Sequence, residues 1–144
     1  MKPLMFFLAL ATGAPVWATP SEATLAARQS LKNYGLSRCL LTAYPQPGAL
    51  RDDVAEAVGA YYFLGRGQHR IHQDEDTLET LHDPYAVVAD YFREAMINEP
   101  VHMKQGGANA FAGCLEVYHS PGVEELVHQQ DDYILPRAGE QTGD

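Results

Sequence analysis

The stretch Asp83-Pro84-Tyr85-Ala86-Val87-Val88-Ala89-Asp90-Tyr91-Phe92-Arg93-Glu94-Ala95-Met96 decides the fold class. An aspartate before a proline starts a helix. The carboxylate accepts from the free N–H groups of the first turn, and proline, with its fixed φ and no N–H, suits the first helical position. Tyr85, Val88, Ala89, Phe92 and Met96 then recur on one helical face, and Asn98 and Pro100 end the run. The same pattern returns twice downstream. Asn109 precedes Phe111, Cys114, Leu115 and Tyr118, and Ser120-Pro121 precedes Val123, Leu126 and Val127.

Two more helices are expected upstream. From Ser21 to Ala43, Ser21 and Thr24 cap the start, Glu22 favours the positive end of the dipole, and Leu25, Leu31, Tyr34, Leu36 and Leu40 form the stripe. Gly35 costs this helix about 1 kcal/mol relative to alanine. Pro45, Pro47 and Gly48 terminate it. From Leu50 to Leu64, Val54, Ala57, Val58, Tyr61 and Tyr62 share a face, acids cluster early, and Gly65 and Gly67 stop the helix. No segment shows convincing strand alternation. The expected fold is all-α, a small bundle of about five helices. Gly65 to His82 is polar and aperiodic, with at most a short helical turn at residues 77–81, and the acidic tail from Asp131 is expected to fray.

The chain has 144 residues and a formal net charge of −9. That is one domain, large enough for a core. The acidic balance argues against nucleic acid or an anionic membrane surface as partner, since both attract lysine and arginine. Met1-Lys2, the apolar run Leu4 to Ala11 and the small residues around Val16-Trp17-Ala18 form a secretory leader pattern, with cleavage expected after Ala18. A single domain at 19–144 would then be exported, with no attachment to a membrane after cleavage. Export would also place Cys39 and Cys114 in an oxidising compartment, where two thiols usually close; two separate buried thiols are the alternative.

A catalytic set is hard to assemble. There is no nucleophile elbow and no phosphate-binding glycine loop. Cys114 lies within an apolar stripe and Cys39 within a helix, so neither suits a reactive thiol. His69-x-x-His72 followed by Asp74-Glu75-Asp76 invites a metal reading, but zinc on a helix favours histidines four apart, and a solvated polar loop explains the segment more simply. No cofactor or metal is expected.

Phe111-Ala112-Gly113-Cys114-Leu115-Glu116-Val117-Tyr118-His119-Ser120, followed by Val123 to Val127, resembles the C-terminal signature of the type VI secretion amidase-immunity proteins. Ser37-Arg38-Cys39-Leu40 is similar to that family's first-helix cysteine, Val58 to Leu64 to its central aromatic helix, and Tyr91-Phe92 to the position after it. The resemblance covers about residues 25 to 128. It implies a periplasmic, all-helical, dimeric protein that is not an enzyme. Such a protein blocks a secreted peptidoglycan amidase with a papain-like Cys–His site by inserting a protruding loop into its groove. It also implies that Cys39 pairs with Cys114 and that Leu115, Tyr118, His119 and Ser120 are scaffold. The best candidate for the loop is Gln68, His69, Arg70, Ile71, His72, Gln73, Asp74, Glu75 and Asp76. Two other functions stay open: a small periplasmic metal-binding protein or enzyme using His69 and His72, and an envelope adaptor with no toxin partner.

Overall fold

Each α-helix among the described residues begins where a side chain satisfies its free N–H groups, with one exception. The computed structural model describes residues 19–104 and 106–136; the leader expected at residues 1–18 lies outside them. Ser21 caps α1 (Glu22–Ala43) by accepting from the Thr24 N–H. Asp83 accepts from the N–H groups of Tyr85 and Ala86 at the head of α3 (Pro84–Asn98). Asn109 caps α4 (Ala110–Tyr118), and Ser120 caps α5 (Pro121–His128). Of the five α-helices, α2 (Ala49–Tyr61) alone starts without a side-chain cap, after Gly48. A one-turn 3-10 helix spans Asp131–Tyr133.

α1 is the central helix and packs against α2, α3, α4 and α5. Its Leu31 joins Tyr85, Val88, Phe92, Cys114, Val123 and Val127 in the fully buried core. Fully burying each aliphatic or aromatic side chain of this kind contributes roughly 1.5–3 kcal/mol. Cys39 and Cys114 form a disulfide that joins α1 to α4 across 75 residues, with Cα atoms 5.8 Å apart. The Met96 sulfur lies 3.5 Å from each sulfur of that bridge. Gly35 is a contact point: a methyl group there would overlap Val88 and the Phe92 ring, so its absence lets α3 seat closely on α1.

The five helices stand as expected, and several details differ. The segment before α3 holds a two-stranded antiparallel hairpin, β1 (His72–Gln73) and β2 (Thr80–His82). β2 takes residues expected in a helical turn. Its strands are too short for alternation to register, and they pair through backbone groups. Phe111 points outward, 47% exposed, while Gly113, Cys114 and Val117 face the core. Leu25 is likewise exposed, at 53%. α2 ends at Tyr61, short of the expected Leu64; its Val58 and Tyr61, and Tyr62 just after it, pack on the core while staying half-buried. The tail does not fray before Pro136. Asp131 pairs with Arg28, and the chain then bridges to residue 69 at Ile134.

Candidate functional site

The segment between α2 and α3 is fastened at its base and free at its tip. The base is built from Tyr85, whose hydroxyl donates to the His69 carbonyl at 2.9 Å and accepts from the His69 N–H at 3.2 Å. Gly67 makes room for that hydroxyl, which a β-carbon there would strike. The Leu135 N–H donates to the Gln68 carbonyl, and the Arg70 N–H to the Tyr133 carbonyl, each at 2.8 Å. The outgoing chain is thus paired with the C-terminal segment. The returning chain is held there too: His82 stacks on Tyr133 and hydrogen-bonds Gln130 Oε1 through Nε2 at 2.7 Å.

The tip is ordered by one carboxylate. Asp74 Oδ1 accepts from the Asp76 and Thr77 N–H groups and from the Thr77 hydroxyl. These bonds, led by the Thr77 N–H, hold the carboxyl below its ordinary pKa. The Asp74 N–H closes the hairpin on the Glu79 carbonyl at 2.8 Å. Leu78 sits in the left-handed region at φ 59° and is 71% exposed, flanked by exposed Glu75, Asp76 and Glu79. What results is a pinned, acidic protrusion that carries two exposed apolar side chains, Leu78 at its turn and Leu81 on its return strand.

The nine loop candidates do not form one exposed patch. Arg70, His72, Gln73, Glu75 and Asp76 are exposed, and Gln68, Ile71 and Asp74 are half-buried. His69 is in the core at 1% exposure, edge-on to the Tyr85 ring, and neither ring nitrogen has a hydrogen-bond partner. Burial holds its pKa down at about 4, against a weaker upward pull from Asp131. His69 therefore does not belong to a solvated loop, because the pairing of residues 68–70 with 133–135 draws its side chain inward. His72 remains on the exposed hairpin, so the two histidines are not presented together. Among the described residues, no three His, Cys, Asp or Glu side chains lie close enough to hold a metal ion. Both cysteines are consumed by the disulfide.

The stretch around Cys114 ties α4 and α5 to α1. The Tyr118 hydroxyl accepts from Gln29 Nε2 at 2.5 Å and donates to Asn33 Oδ1 at 3.0 Å. The Tyr118 ring lies under the Lys32 ammonium, 4.6 Å from its centroid, and that buried lysine also pairs with Glu124. Leu115 is half-buried, exposed His119 closes the end of α4, and Ser120 caps α5.

The chain matches the family model of Tai4, the type VI secretion system (T6SS) amidase immunity protein, over residues 29–127. It belongs to the Tai4 family. The match runs from the third turn of α1 to the last turn of α5 and takes in both cysteines and the whole hairpin. No curated protein and no solved structure matches the chain. Sequence reasoning missed Leu78, Tyr133 and the double role of Tyr85. An isolated leucine in a polar run, or a tyrosine in a tail, has no periodic neighbours to mark it; the only local signal was the Gly67 that admits the Tyr85 hydroxyl.

Proposed function

We propose that this chain is a stoichiometric inhibitor that works in the periplasm. It blocks a T6SS peptidoglycan amidase by placing the β1–β2 hairpin in the groove that holds the amidase's Cys–His pair. The observation that carries this proposal is a hairpin pinned at its base and ordered at its tip, on a chain of the amidase immunity family. A protrusion already held in one shape loses little freedom on binding, so more of its contact energy appears as affinity. The exposed acids accelerate encounter with a basic groove and make the rate sensitive to salt.

The working unit is the single domain 19–144, released from its leader after Ala18 and acting as a dimer. Closure of the disulfide supports an exported chain, because such bridges persist in oxidising compartments. No helix among the described residues is long and apolar enough to cross a membrane. Ile97 near the end of α3, Met103 in the α3–α4 connection and Phe111 at the start of α4 are exposed and leave apolar surface for a second copy. Leu115, Tyr118, His119 and Ser120 act as scaffold and hold α4 and α5 in place.

The test is to mix purified protein 19–144 with a T6SS amidase from the same genome and follow release of cleaved peptides from purified peptidoglycan. Hydrolysis should fall to zero at a fixed molar ratio. Full hydrolysis in excess protein would overturn the proposal.

A further inference from the structure

Leu78 combines two costs in one residue. Its backbone lies at φ 59°, in the region where a β-carbon crowds the following carbonyl, and it is the one non-glycine residue with positive φ among the described residues. Its side chain is also 71% exposed and gains nothing from the fold. Strain of this kind persists where the surroundings impose it, and it concentrates at sites that bind. Here the surroundings are the three bonds to Asp74 Oδ1 and the Leu78 N–H, which donates to the Asp74 carbonyl at 3.0 Å. The tip is thereby built to hold a leucine outward, where glycine or asparagine would have been easier. Exposed Leu81 lies on the returning strand of the same hairpin.

Resting on the inhibitor function above, we infer that Leu78 is the anchor of the inhibitory contact and enters an apolar subsite in the amidase's groove. The occupant is committed by charge as well as shape. Glu75, Asp76 and Glu79 surround the leucine, so the subsite that takes it is apolar at its floor and cationic at its rim. Burying one leucine in such a subsite corresponds to about 10- to 100-fold in affinity.

Leu78→Asn keeps a residue at ease with positive φ and removes the apolar group; Leu78→Met keeps the apolar group. Inhibition constants are measured for both and for wild type against the same amidase, together with melting midpoints. Leu78→Asn should inhibit about 10- to 100-fold more weakly while melting at or above the wild-type temperature. Leu78→Met should inhibit within a few-fold of wild type. Potent inhibition by Leu78→Asn would overturn the anchor and leave the inhibitor function standing. Weaker inhibition by Leu78→Asn with a matching fall in melting temperature would also overturn it, since the leucine would then serve folding. Failure of wild type itself to inhibit would overturn both.

Discussion

The His82 ring stacks on the Tyr133 ring with centroids 4.1 Å apart and planes 20° from parallel, so the hairpin's return strand is clamped to the C-terminal turn. Aromatic pairs of this type contribute about 0.5–1.5 kcal/mol beyond their buried area. The clamp joins a protruding element to the segment that leaves α5. It makes the hairpin's orientation a property of the whole domain. Tyr133→Ala should leave the helices intact, lower the melting midpoint by only a few degrees and speed amide exchange at Asp74, whose N–H closes the hairpin. Hydrogen exchange followed by mass spectrometry checks this. Exchange at the unchanged wild-type rate would show that the tip is independent of its base.

The disulfide makes its own prediction. Joining residues 75 apart removes chain entropy from the unfolded state worth about 4 kcal/mol in the loop-closure model. Cys39→Ser with Cys114→Ser should lower stability to denaturant by a few kcal/mol, and reducing agent should lower the wild-type midpoint but not that of the variant.

Gly35 sets two effects against each other. Replacing it with alanine gains about 1 kcal/mol of helix propensity. The added methyl group meets the Phe92 ring and Val88 in a fully buried contact, and overpacking of that kind costs about 1–3 kcal/mol. Packing should win. Gly35→Ala is expected to destabilise the fold, whereas Gly59→Ala, where the added group meets open space, should stabilise it. Thermal unfolding of the two variants side by side decides the sign.

His69 makes stability depend on pH. Its folded pKa of about 4 lies below the ordinary 6.5, so between those values the unfolded chain binds the extra proton. Stability should therefore be fully present above about pH 6.5 and decline as pH falls toward 4, by about 3 kcal/mol in all. Asp131, held low by Arg28, adds a further loss only below the ordinary carboxylate range. His69→Phe should flatten the decline between pH 6.5 and 4 in chemical denaturation series. An unchanged slope would place the sensitivity elsewhere.

The helices were legible because their signals are local. Asp83-Pro84, Asn109 and Ser120-Pro121 each satisfy N–H groups two or three residues away, and the apolar stripes repeat within a single element. Cys39 and Cys114 were legible as a pair from composition and compartment, and their spacing did not forbid closure. Phe111 was misplaced because a stripe gives a helix's apolar face but not which edge of that face meets a neighbour.

The candidate site was legible only in outline. Its polar, aperiodic composition marked residues 65–82 as unusual, and Asp74, Glu75 and Asp76 at its tip were named. The hairpin itself was not visible, because strands of two and three residues carry no period and their register is fixed by backbone bonds. The inward turn of His69 depends on residues 133–135, and the straining of Leu78 depends on how Asp74 folds the turn.

By itself, then, the sequence determined five helices, their starting points, an acidic surface and a family, since each rests on neighbours in the chain or on composition. The tertiary structure alone decided that α1 lies at the centre, that His69 is buried and that an acidic hairpin stands outward with Leu78 on its tip. Those outcomes come from contacts between residues tens of positions apart, and no local pattern encodes which of many compatible partners a side chain meets when the chain closes on itself.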